Sequence, residues 1–233
     1  MNSTTERGYG ARIGNAQKLV QALESFSNYQ SVQPELSIAK LNEQIAAIHN
    51  LNNEVASKKQ AYSLAVEHRL QILEKSPNSI KKVLSPINAN VKAVYGRSAK
   101  EALLVAGIIE KMRGANIAKP KNPEVDTVSQ SYQSYHSKTQ FFADLIANIS
   151  DFGSEYSLAN SKLNVISLQA LYNDAVAANN GVVDSHVQFS LTNSRRIEAY
   201  SNLSHSATRI KESVKAQYGT QSVEYRLIKS FFI

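Results

Sequence analysis

The sequence predicts an all-α protein, a four-helix bundle made of two tandemly duplicated antiparallel long-helix hairpins with short flanking helices. Three observations predict it. Apolar residues recur at alternating steps of three and four through both halves of the chain, the period of a helix face. Nine Gly and five Pro in 233 residues are few for a loop-rich all-β protein. The chain also repeats itself at half its length, so whatever one half builds the other is expected to build again.

The chain opens with MNSTTERGYGARIG, which has no basic segment followed by an apolar run and so shows no secretory signal. Gly8-Tyr9-Gly10-Ala11-Arg12-Ile13-Gly14 superficially suggests a phosphate loop, but the spacing is wrong and no strand precedes it. Residues 1–10 are read as a flexible leader and 11–29 as a short helix. Over 34–75, Leu41, Ile45, Ile48, Val55, Tyr62, Val66 and Leu73 mark one long amphipathic helix. Pro34 is tolerated in its first turn, and Ser76-Pro77 stops it because proline donates no backbone hydrogen bond and restricts the residue before it. A return helix over 78–94 ends at Gly96. Ser98-Ala99-Lys100-Glu101 then has the spacing of a capping box for a final helix reaching 113.

Residues 114–127 are polar, hold two of the five prolines, and read as a linker between repeat 1 at 11–113 and repeat 2 at 128–233. The second repeat offers a short helix at 129–151, and then a long one at 162–200 striped by Leu168, Tyr172, Ala175, Val182 and Phe189. A return helix at 202–217 ends at Gly219. Neither hairpin can cover its own stripe, so both repeats are expected to share one core. Separate domains, or hairpins exchanged between chains, are the runners-up.

The repeat register runs without a gap from Tyr29 against Tyr156 to Arg69 against Arg196, with Leu36 on Leu163, Leu41 on Leu168, Val55 on Val182 and Leu64 on Leu191. After a four-residue shortening of the second copy near 75–78 it resumes with Ile87 on Ile210 and VKAVYG on VKAQYG. This pattern, with the ending QYGTQSVEYRLIK, resembles an uncharacterised family of bacterial helical proteins, many of them tandem duplications. The first copy departs from that ending, with Ala102 where the second has Tyr225. The resemblance implies the helical repeat and brings no activity with it.

Composition narrows the function. With 42% hydrophobic and 19% charged residues the chain is globular, and without cysteine it has no disulfide, thiolate metal site or cysteine nucleophile. Its longest apolar runs, such as 102–109, are far short of the roughly 20 residues of a membrane span, and a cytoplasmic location is the default expectation. Di-metal bundles need Glu-x-x-His pairs, and none occurs; His49, His68, His136, His186 and His205 are scattered. No metal, cofactor or catalytic residue is expected. Ser204-His205-Ser206 sets hydroxyls beside an imidazole, but neighbours on a helix point apart.

Three features remain as candidate binding residues. Asn52 and Asn179, with Arg69 and Arg196, recur inside the apolar phase of both copies. Setting of helix register is the preferred reading, and a small polar pocket on the pseudo-twofold axis the alternative. Residues 79–123 carry Lys81, Lys82, Lys92, Arg97, Lys100, Lys111, Arg113, Lys119 and Lys121 against Glu101 and Glu110, an excess equal to the +7 of the whole chain. Such a cluster attracts nucleic acid, anionic lipid or an acidic protein surface, or merely solvates a helix face. Nucleic acid is not favoured, because no aromatic-interleaved RNA signature or recognition helix accompanies it. Phe231, Phe232 and Ile233 end the chain as an apolar tail that docks on its own bundle or serves as an assembly handle. The expected function is therefore a non-enzymatic structural or protein-interaction protein that partners itself or another protein. The alternative is an anion-binding module using 79–123, and the third reading a small-ligand carrier or enzyme with a site between helices.

Overall fold

A computed structural model describes residues 8–114, 134–156 and 160–233. Every regular element among them is helical: α1 (Tyr9–Ser25), α2 (Ile38–Leu70), α3 (Ile80–Tyr95), α4 (Lys100–Arg113), α5 (Tyr135–Asp151), α6 (Val165–Tyr218) and α7 (Val223–Ile228). Short 3-10 turns at Pro34–Leu36 and Ser161–Leu163, 127 residues apart, lead into α2 and α6. None of the helices is long and apolar enough to cross a membrane.

The second half departs from the expected hairpin. Residues 162–200 and 202–217 do not fold back on each other, because α6 runs unbroken over 54 residues. The cause is the four-residue shortening. The first copy has a stop in that place: α2 passes into a π-helical turn at Gln71–Lys75, and Ser76 to Ser79 turn before α3 begins. Deleting those residues removes Pro77, and neither Gly nor Pro occurs from Val182 to Tyr218. Four residues are close to one helical turn, so the apolar face carries on nearly in phase. A bundle of two hairpins is thus not what these elements build.

The division into units also differs from the expected repeats. The chain separates into two compact units within the long helices, one made of residues 1–60 and 187–233 and the other of 61–186. Each unit therefore draws on both halves of the sequence. In the first, α1 turns Ile13, Ala16, Leu19, Val20 and Leu23 inward at helical spacing, and α2 adds Leu41, Ile45 and Ile48. The later part of α6 completes this core with Tyr200, Leu203, Ala207, Ile210 and Val214. In the second, Leu73 joins Ile80, Val83, Leu84, Ile87 and Val91 of α3, Val105 and Ile109 of α4, Phe142, Leu145 and Ile149 of α5, and Leu168 and Ala175 of α6.

Several local expectations are refined. Helix α1 begins at Tyr9, so the last residues assigned to the leader, and the glycines Gly10 and Gly14, are helical. The Ser98–Glu101 capping box does not form, because Ala99 occupies the cap of α4. Ser222 does cap α7, accepting a hydrogen bond from Tyr225 N at 3.1 Å. Gly96 and Gly219 end α3 and α6 with φ of 86° and 92°, which is why both VKxxY segments are followed by glycine.

Candidate functional site

The basic stretch divides in space. Lys81 and Lys82 lie in the first turn of α3, while Lys92, Arg97 and Lys100 lie towards its far end and the turn into α4. Eleven residues separate Lys81 from Lys92, about 16 Å along a helix axis. Arg113 closes α4, where a cation suits the exposed carbonyls of a helix C-terminus. Lys111 holds its ammonium 5.8 Å from the Phe141 ring centroid. Lys119 and Lys121 lie outside the described residues.

Lys81, Lys82 and Arg113 border a cavity of about 610 Å³ in the second unit. Its wall is completed by Lys138 and Glu74, paired at 3.0 Å and both partly buried. Arg113 Nη2 donates to Ser85 Oγ at 2.7 Å, a neutral acceptor that holds the guanidinium at the rim without discharging it. Lys81, Lys82 and Arg113 make no ion pair with a described residue. Four cations thus face one carboxylate. The remaining wall is Leu73, Ile80, Leu84 and Met112, each at most 5% exposed. Sequence reasoning missed Lys138, Glu74 and Ser85. Lys138 stands beyond the basic stretch and reaches the cavity because α5 packs against α4.

The recurrent polar residues build a different arrangement, once in each unit. In the first, Asn52 Nδ2 donates to the Tyr200 hydroxyl at 3.0 Å, and that hydroxyl donates to the Tyr9 carbonyl at 3.0 Å. Arg196 lies over the Tyr9 ring at 4.3 Å, and Arg12 lies over the Tyr200 ring at 4.9 Å while donating to the Tyr200 carbonyl. In the second, Asn179 Nδ2 donates to Thr139 Oγ1 at 3.1 Å, Thr139 donates to the Tyr135 carbonyl at 2.8 Å, and Arg69 lies over the Tyr135 ring at 4.1 Å. Asn52 thus works with Arg196, and Asn179 with Arg69. Each Asn anchors the first turn of a helix through a hydroxyl. Burial raises the Tyr200 pKa, opposed by the Asn52 hydrogen bond and the charges of Arg196 and Arg12. Tyr9, Tyr135, Tyr200 and Thr139 carried no sequence signal, since the two hydroxyls stand at unrelated positions of the repeat.

The C-terminal tail docks on its own unit. Ile233 is 6% exposed within the first core, Ser204 Oγ donates to its carbonyl at 2.7 Å, Asn15 Nδ2 donates to Phe232 O at 2.9 Å and Lys211 donates to Phe231 O. Phe232 keeps 42% of its surface exposed. Ser204 and Ser206 of the Ser-His-Ser stretch are occupied in this packing, Ser206 accepting from Gln44 at 3.1 Å. His186 packs edge-on against Tyr62 at 5.3 Å. Among the described residues no group of three or more His, Asp or Glu side chains is placed to hold a metal ion.

Comparison with protein-family models, with curated proteins and with solved structures finds no match to this chain.

Proposed function

We propose that this chain is a non-enzymatic binding protein that recognises an anionic group at the cavity of the second unit. One observation supports the reading above the others: Lys81, Lys82 and Arg113 come from two helices to one rim and make no ion pair with a described residue, the one carboxylate of the wall, Glu74, being paired with Lys138. Cations gathered around one recess attract an anion more strongly than the same charges spread over an open face, because their fields add there. A face that merely aids solubility has no need to gather them around a recess. The test is calorimetric titration with inorganic pyrophosphate at low and moderate salt, on the parent and on two charge-reversed sets. Reversal of Lys81, Lys82 and Arg113 to Glu is expected to abolish binding, while reversal of Lys92, Arg97 and Lys100 lowers affinity only by the general field. Equal losses from the two sets would sink the cavity reading, and so would absence of binding to the parent.

A second reading, self-association as a structural protein, is supported by Val187 and Leu191, which are 45% and 54% exposed one helical turn apart on α6. That spacing is the one at which helix faces meet. The same stripe on a second copy of the chain is its expected partner. Sedimentation velocity of the parent and of Val187→Glu/Leu191→Glu checks this; a monomer at all concentrations removes the reading.

A further inference from the structure

Around the cavity of the second unit, the side chains with surface open to a guest are all polar. Leu73, Ile80, Leu84 and Met112 are at most 5% exposed and belong to the packed core. Lys81, Lys82, Ser85 and Arg113 are exposed, and Glu74 and Lys138 are half-buried. A guest therefore meets charges and hydrogen-bonding groups. We propose that it is a diphosphate, two linked phosphoryl groups held jointly by Lys81, Lys82 and Arg113. The proposal rests on the anion-binding reading above and names the class of ligand.

Charge and spacing both lead to this class. Lys138 and Glu74 offset each other at 3.0 Å, which leaves Lys81, Lys82 and Arg113 without an ion pair to a described residue. A terminal phosphate group carries about −1.5 to −2 at neutral pH, so one such group leaves part of their charge unmet. A second, linked group supplies the rest. Ser85 stands four residues after Lys81 and three after Lys82, the separations at which helix side chains are neighbours. Arg113 Nη2 donates to Ser85 Oγ at 2.7 Å, so this guanidinium of α4 is anchored one turn of α3 from both lysines, about 5 Å along the axis. That bond also holds the donor fork in place before a ligand arrives. The donors thus reach the guest from two helices. A phosphoryl group turns its three acceptor oxygens in different directions, whereas a carboxylate holds its two in one plane, so linked phosphoryl groups suit these donors better.

The test compares inorganic phosphate, pyrophosphate and citrate by calorimetry on the full chain at one fixed ionic strength. An added negative charge in contact with one cation is worth about fivefold in affinity at the dielectric of water, so pyrophosphate should exceed phosphate by at least that factor. Citrate, with its charge on carboxylates, is expected to bind more weakly than pyrophosphate. Lys81→Gln/Lys82→Gln keeps Arg113 and should bring the pyrophosphate-to-phosphate ratio close to one. Lys92→Gln/Lys100→Gln, at the other end of α3, should leave that ratio unchanged, with circular dichroism showing that both variants fold. Equal affinity for phosphate and pyrophosphate overturns the diphosphate and leaves the anion-binding reading standing. So does citrate binding as tightly as pyrophosphate, or a full ratio retained by Lys81→Gln/Lys82→Gln. Absence of binding to every probe overturns both. Adenosine diphosphate distinguishes the source of the ligand: tighter binding than pyrophosphate assigns the diphosphate to a nucleotide, and weaker binding assigns it to the inorganic ion.

Discussion

Tyr200→Phe removes one oxygen from a fully packed position and should reveal what the first unit's hydrogen-bond chain contributes. The ring is 1% exposed, so Phe fills the same space and opens no cavity. Two bonds are lost, the one accepted from Asn52 and the one donated to the Tyr9 carbonyl, each 3.0 Å long. At a net of about 1 kcal/mol per hydrogen bond the upper expectation is about 2 kcal/mol. The Tyr9 carbonyl opens α1 and retains its helical acceptor role, so its share is the smaller, and the loss should fall between about 1 and 2 kcal/mol. Asn52→Ala should cost about 1 kcal/mol or less. It loses the same bond but also removes Oδ1, which is buried without a hydrogen-bond partner among the described residues. In the double variant the shared bond is lost once, so the cycle should show a coupling of about 1 kcal/mol. Tyr29→Phe is the control, because the Tyr29 hydroxyl is buried and unpaired among the described residues; it should be neutral or slightly stabilising. The assay is equilibrium urea unfolding followed by circular dichroism, checked for a constant slope. A Tyr200→Phe midpoint equal to that of the parent, or a coupling of zero, would refute the argument.

Three further outcomes follow from local geometry. Gly181 sits inside α6 with open space where a Cβ would go, so Gly181→Ala should raise stability by about 0.5–1 kcal/mol in the same urea assay. Gly96 holds φ 86° and ψ 156°, a region nearly closed to L-residues, so Gly96→Ala should lower stability by about 1–3 kcal/mol although nothing crowds the new methyl. Burial pushes the Tyr156 phenol up to about 12, and its hydroxyl donates to Leu163 O at 3.1 Å. Since the unfolded chain would ionise this phenol near its ordinary 10.0, the folded state binds the extra proton between those values. Stability is therefore full below pH 10 and falls as pH rises towards 12; Tyr156→Phe should flatten that decline in urea midpoints measured across the range. An unchanged alkaline slope would show that the phenol is not the group responsible.

Helical character and helix punctuation were legible because they depend on neighbours in the chain. The buried spacing Ile80, Val83, Leu84, Ile87, Val91 reads the same in sequence and in space, and Gly96 and Gly219 had to be glycine for a backbone reason that acts within a few residues. The loss of the second hairpin was also written in the chain, in the four missing residues that took Pro77 with them. It was misread because the repeat pattern suggested that both copies fold alike.

The candidate cavity was half legible. Lys81, Lys82 and Arg113 belong to a visible charge run, but the run also contains Lys92, Arg97 and Lys100, and only the course of α3 and α4 separates the two groups. Lys138 and Glu74 joined through packing alone, from positions 64 residues apart. By itself the sequence determined that each long helix carries an apolar stripe, where most helices begin and end, and that cysteine chemistry is absent. Only the tertiary structure decided which stripe meets which, giving two cores that each combine residues from both halves of the chain. The physical reason is that burial of apolar surface is non-directional. A stripe of Leu, Ile and Val requires a partner without specifying one, and the choice depends on the sum of contacts over the whole folded chain.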